Sequence, residues 1–106
     1  MDPGGDRETA RLRPFLEAVR SRYPDAKVIL FGSRARGDHL KTSDFDLVVV
    51  SSAFKGIPFR ERLVETYKLM GPCVDADIIC LTPEEYRRRS KELGIVGEVA
   101  REGKLL

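Results

Sequence analysis

The chain has 106 residues, room for one compact domain spanning 1–106 and no second independent core. Hydrophobic residues at 42% beside charged residues at 34% exclude both a disordered chain and a membrane-embedded one. A net charge of +2 is too slight to announce nucleic acid, which is not expected as a main partner.

In chain order, Leu12, Phe15, Leu16, Val19 and Tyr23 recur at helical spacing. Pro14 fits a helix that starts near Arg13 and holds the proline in its first turn, and Pro24 stops it. Val28 to Phe31 is a short β-favouring run that ends at Gly32, as a buried strand would. Ser33 to Gly37 reads as a helical turn and Asp38 to Ser43 as a polar loop. The second strand, Asp44 to Val50, puts Phe45, Leu47 and Val49 on one face and Asp44, Asp46, Val48 and Val50 on the other.

From Pro58, the residues Phe59, Leu63, Tyr67 and Met70 predict the apolar stripe of a connecting helix closed by Gly71 and Pro72. A third strand is expected from about Cys73 to Leu81, with Asp75 and Asp77 sharing one face. Thr82, Pro83 and Glu85 then form an N-cap, a first-turn proline and the far member of a capping box. Tyr86 and Leu93 anchor that helix, and its run Arg87, Arg88, Arg89 and Lys91 reads as a solvated face. The tail from Gly94 is expected to be one more helical stretch carrying Ile95, Val96 and Val99, with a short end at Leu105 and Leu106.

Cys73 and Cys80 would lie at opposite parity on one strand about 23 Å apart, beyond disulfide reach, and read as apolar filling in a reducing compartment. No apolar run reaches the length of a signal peptide or membrane span, so a cytoplasmic location is expected. His39 sits in the polar loop and reads as a surface residue.

Carboxylates on an apolar strand need an explanation, because burying an ionised Asp is costly without a partner or a metal. An isolated Asp-x-Asp most often only keeps a strand end soluble. Asp44 and Asp46, however, point the same way with Cβ atoms roughly 6 to 7 Å apart, so both can lean onto one cation. Two carboxylates about 4 Å apart would repel by about 4 kcal/mol at an effective dielectric of 20, a penalty that a divalent ion removes. Oxygen ligands with space for phosphate suit Mg²⁺, or Mn²⁺, better than Zn²⁺. Upstream, Gly32 and Ser33 stand where a strand hands over to a helical turn, presenting N–H groups and a hydroxyl to an anion. Arg34 and Arg36 are near enough to neutralise phosphate charge.

FGSRARG from Phe31 to Gly37 and SDFDL from Ser43 to Leu47 together resemble the nucleotidyltransferase superfamily that includes DNA polymerase β, and especially the minimal nucleotidyltransferase (MNT) domains of prokaryotes. The resemblance covers nearly the whole chain. It implies an α+β fold in which a small mixed sheet of about three to four strands is flanked by helices. It also implies two Mg²⁺ ions and transfer of a nucleoside monophosphate from a triphosphate such as ATP onto a hydroxyl. Gly32 and Ser33 match the triphosphate grip, and Asp44 and Asp46 match the pair that bridges both ions. The third carboxylate belongs on a later strand, in a context similar to DIICLTPEEY, which favours Asp77 over Asp75. Its implied role is to complete the metal shell and accept the proton of the attacking hydroxyl.

Larger relatives carry a further helical domain, so the chain is short for the superfamily. The resemblance therefore implies a HEPN-domain toxin as partner, with this chain as antitoxin and a HEPN tyrosine as acceptor. A thin core also allows a homodimer. The competing expectation is an antitoxin or complex subunit that neutralises its partner by binding alone.

Overall fold

The computed structural model describes residues 10–31, 45–70, 76–91 and 103–106. They form helix α1 (Arg13–Arg22), strands β1 (Lys27–Phe31) and β2 (Phe45–Val50), a 3₁₀ turn (Ser52–Phe54), helix α2 (Phe59–Met70), strand β3 (Ala76–Leu81), helix α3 (Pro83–Ser90) and strand β4 (Lys104–Leu105). The sheet order is β3-β2-β1-β4. β1 is antiparallel to both β2 and β4, whereas β2 and β3, joined through α2, run parallel. The expected α+β class with a small mixed sheet is therefore what the chain adopts.

α1 begins where the proline demands, with Pro14 in its first turn, and ends with Tyr23 in an extended conformation. Strand alternation divides the core. Phe45, Leu47 and Val49 of β2 join Val28, Leu30, Ile78 and Cys80 on the face covered by α1 and α2, where Leu12, Phe15, Val19 and Met70 are buried against them. Each such fully buried side chain contributes about 1.5–3 kcal/mol relative to exposure. Val48, Val50 and Leu81 form a smaller cluster on the opposite face, packed with Ile29, Phe31, Ile79 and Tyr86 of α3. The capping box at α3 is complete: the Thr82 hydroxyl accepts from the Glu85 N–H and the Glu85 carboxylate accepts from the Thr82 N–H. Cys80 is a buried free thiol whose pKa is raised by burial, as a core filler requires.

Two expectations are corrected. The α2 stripe is rotated: Arg62, Thr66 and Met70 are the buried positions, while Phe59 and Tyr67 are each 43% exposed. The rotation is possible because Arg62 makes internal hydrogen bonds through Nε and Nη1 and Tyr67 reaches the sheet with its hydroxyl. The chain end adds a strand: Leu105 pairs with Ile29 and Lys104 with Leu30, giving the free edge of β1 a neighbour. The helical turn at Ser33 to Gly37, the loop with His39, Asp75, Cys73, Leu93 and the helical reading of Ile95, Val96 and Val99 lie outside the described residues.

Asp25 was not singled out by sequence reasoning, yet it ties the turn after α1 to the end of β2. Its carboxylate accepts from the Ser51 hydroxyl at 2.7 Å, the Ser52 N–H at 2.9 Å and the Ser52 hydroxyl at 2.6 Å. Bonds from the Ser52 hydroxyl first, then from the Ser51 hydroxyl and the Ser52 N–H, hold its pKa down at about 2 from an ordinary 3.8. A depressed folded-state pKa stabilises the fold above the unfolded-state value, and that stabilisation is lost as pH falls through the folded-state value. Asp25→Ala is expected to lower the melting midpoint by a few degrees at pH 7. Calorimetry from pH 5 to pH 2 should show the difference between wild type and variant shrinking as pH falls from about 4 towards 2.

Candidate functional site

The register of the sheet builds a row across three strands. Phe31 at the end of β1 pairs with Asp46, and Asp46 pairs with Asp77 on the parallel neighbour β3. The next rows are Ile29, Val48 and Ile79, then Lys27, Val50 and Leu81. Residues in register share a face, so Asp46 and Asp77 lie side by side on the α3 side of the sheet, on strands about 4.8 Å apart. Asp46 is half-buried and Asp77 exposed. This end of that face is thus polar and accessible, whereas Val48, Val50 and Leu81 close its middle and far end.

Two of the three predicted acids are brought together in this way. Asp44, Gly32, Ser33, Arg34 and Arg36 lie outside the described residues. Phe31 and Phe45 stand at the same end of the sheet as the acid pair. Among the described residues, no three His, Cys, Asp or Glu side chains gather closely enough to form a complete metal shell. Asp46 and Asp77 nevertheless fit a hard divalent cation in donor chemistry, being carboxylates at paired positions of adjacent strands.

A groove of about 540 Å³ opens on the same face at the opposite end, between Lys27, Ile29, Val50, Tyr86, Arg87 and Leu105. It is lined by apolar groups and two cations and contains neither acid. The basic run on α3 is partly engaged: the Arg89 guanidinium lies 5.4 Å from the Phe59 ring centroid, while Arg87 and Arg88 are exposed as expected.

Arg62 was not singled out by sequence reasoning, yet it ties α2 to β3 and to the start of α3. Arg62 is only 5% exposed and donates to the Ile57 carbonyl at 2.7 Å, the Cys80 carbonyl at 3.2 Å and Glu85 Oε1 at 2.7 Å. Burial would raise the Glu85 pKa, but the hydrogen bond from Arg62 and the bond from the Thr82 N–H hold it below the ordinary value. The spacing of Arg62, Thr66 and Met70 at four-residue intervals is the signal that could have identified this face.

Comparison with known proteins agrees with this architecture. The nucleotidyltransferase domain family matches residues 12–105. A Methanocaldococcus jannaschii protein named "Putative protein adenylyltransferase" is 42% identical over 45 residues, which are 41% of this chain and 45% of the relative. The match thus spans less than half of that relative's length. A crystal structure described as "a putative nucleotidyltransferase from Sulfolobus solfataricus" superposes with a TM-score of 0.71 at 28% identity, covering 95% of this chain and 80% of that one. Another, described as a "putative nucleotidyltransferase", shares the fold with a TM-score of 0.56 at 23% identity, covering 77% of this chain and 89% of that one. With the family match running from the residue before α1 into β4, this chain belongs to the nucleotidyltransferase domain family.

Proposed function

We propose that the chain transfers AMP from ATP onto a hydroxyl, with a tyrosine of a HEPN-domain toxin as acceptor, and so acts as an antitoxin. The observation that carries the reading is the register of Asp46 with Asp77 beside the end of the strand that leads into Gly32. Family membership supports nucleotidyl transfer, and the name of the M. jannaschii relative supports a protein acceptor.

Asp44, Asp46 and Asp77 are the residues that would hold two Mg²⁺, or Mn²⁺, ions, whose contribution is to neutralise the triphosphate and acidify the acceptor hydroxyl. Gly32 and Ser33 bind the triphosphate through main-chain N–H groups and the hydroxyl, and Arg34 and Arg36 balance its remaining charge. The acceptor oxygen bonds to the α-phosphorus in line with the breaking bond to the bridging oxygen, and pyrophosphate leaves. An Asp77 carboxylate oxygen receives the acceptor's proton. The exposure of Asp77 leaves it open to an acceptor presented by another molecule. No helix among the described residues is long and apolar enough to cross a membrane.

Incubation with α-labelled ATP, Mg²⁺ and a HEPN-domain partner is expected to label a partner tyrosine. The double variant Asp44→Asn/Asp46→Asn should abolish the label, and equal labelling by that variant would falsify the reading. Neutralisation by the same variant, with no labelling in wild type, would replace the enzyme by a subunit that acts through binding. Label on an antibiotic or an RNA end would keep the transfer chemistry and change the acceptor.

A further inference from the structure

β3 is an edge strand, and alternate residues of an edge strand direct their main-chain groups away from the sheet. In this chain α2 meets three of those groups with side chains. The Tyr67 hydroxyl donates to the Ala76 carbonyl at 2.9 Å and accepts from the Ile78 N–H at 3.3 Å. Further along the same edge, Arg62 donates to the Cys80 carbonyl at 3.2 Å. Ala76, Ile78 and Cys80, alternate residues of β3, are thereby each engaged through one main-chain group.

The two Tyr67 bonds bracket one residue, Asp77, whose own main chain lies in the ladder with Asp46. Tyr67 is 43% exposed, so it is not a core anchor. Its hydroxyl spends both donor and acceptor capacity on the backbone either side of the carboxylate. The geometry points to Tyr67 as a positioning residue: it pins the first turn-out of β3 so that the Asp77 carboxylate stays beside Asp46. The inference rests on the reading of Asp77 as the third carboxylate. It assigns Tyr67 no contact with substrate or metal.

Tyr67→Phe keeps the ring and removes the clamp. In the full chain, a Mn²⁺ titration followed by electron paramagnetic resonance should show affinity weakened by about tenfold, the size of effect seen when support for a metal ligand is removed. The Ile78 amide should exchange faster, and kcat should fall with the KM for ATP unchanged. Ser51→Ala, which loosens the far end of β2, is the control for general destabilisation and should leave Mn²⁺ affinity at the wild-type value. A folded Tyr67→Phe protein with wild-type Mn²⁺ affinity, beside an Asp77→Asn protein that has lost it, would overturn the role of Tyr67 alone. Wild-type Mn²⁺ affinity in Asp77→Asn as well would overturn the assignment of Asp77, and the clamp's purpose with it.

Discussion

Asp77→Asn is expected to slow nucleotidyl transfer by about 10³-fold, equivalent to ~4 kcal/mol of transition-state stabilisation, and Asp46→Asn by at least as much. Asparagine preserves the shape of the side chain and its place in the strand but neither carries the negative charge nor can accept the acceptor's proton. The variants should therefore remain folded. Like charges directly opposite one another on neighbouring strands are destabilising, and Asp46 faces Asp77 in register. In the absence of divalent ions, the melting midpoint of Asp77→Asn should accordingly match or exceed that of wild type. Single-turnover rates with labelled ATP, paired with calorimetry on the same samples, measure both effects. A variant that loses stability together with activity would mean that Asp77 serves the fold. Retained activity in Asp77→Asn with loss in Asp75→Asn would move the third carboxylate to the competing position.

This pairing of fold and charge explains which parts were legible from residues alone. The two-residue period of Phe45 to Val50 separates Phe45, Leu47 and Val49 from Asp46, Val48 and Val50, and the two sets enter different clusters. The Thr82 to Glu85 cap was likewise readable, because its hydrogen bonds close within four residues. Long-range pairing was not. The partnership of Asp46 with Asp77 depends on how α2 packs while carrying the chain from β2 to the parallel β3, a tertiary outcome absent from either segment. β4 has two residues, too few to establish a period, and its pairing comes from the open edge of β1. On α2, the apolar spacing of Phe59, Leu63, Tyr67 and Met70 points to one face, whereas the buried positions are Arg62, Thr66 and Met70, two of them polar and so invisible to an apolar pattern. A guanidinium that finds carbonyl and carboxylate acceptors inside the fold, as Arg62 does through Nε and Nη1, can turn inward.

The largest stability effect is expected at that arginine. Arg62 donates through Nε to the Ile57 carbonyl and through one terminal nitrogen to both Cys80 and Glu85, with its guanidinium 4.5 Å from the Phe59 ring centroid. Glu85 Oε1 meanwhile accepts from the Thr82 N–H, so one carboxylate oxygen serves both the ion pair and the helix cap. Breaking a buried pair by removing one partner typically costs about 3–5 kcal/mol, a large share of the 5–15 kcal/mol that holds a domain of this kind together. Arg62→Ala is expected to fall in that range, because it also leaves the Ile57 and Cys80 carbonyls without this donor. Arg62→Met fills more of the volume and should cost less. Glu85→Ala strands a buried cation and undoes the cap, so its penalty should approach that of Arg62→Ala. Combining Arg62→Met with Glu85→Ala should be milder than the sum of those two single changes, since no buried charge is then left behind. Because Glu85 has a depressed folded-state pKa, its share of the stability is present above the ordinary glutamate range and is lost as pH falls through the lower folded-state value. Urea midpoints for the four variants at pH 7 and pH 4 measure this coupling, and additive penalties at pH 7 would mean that the two side chains act independently.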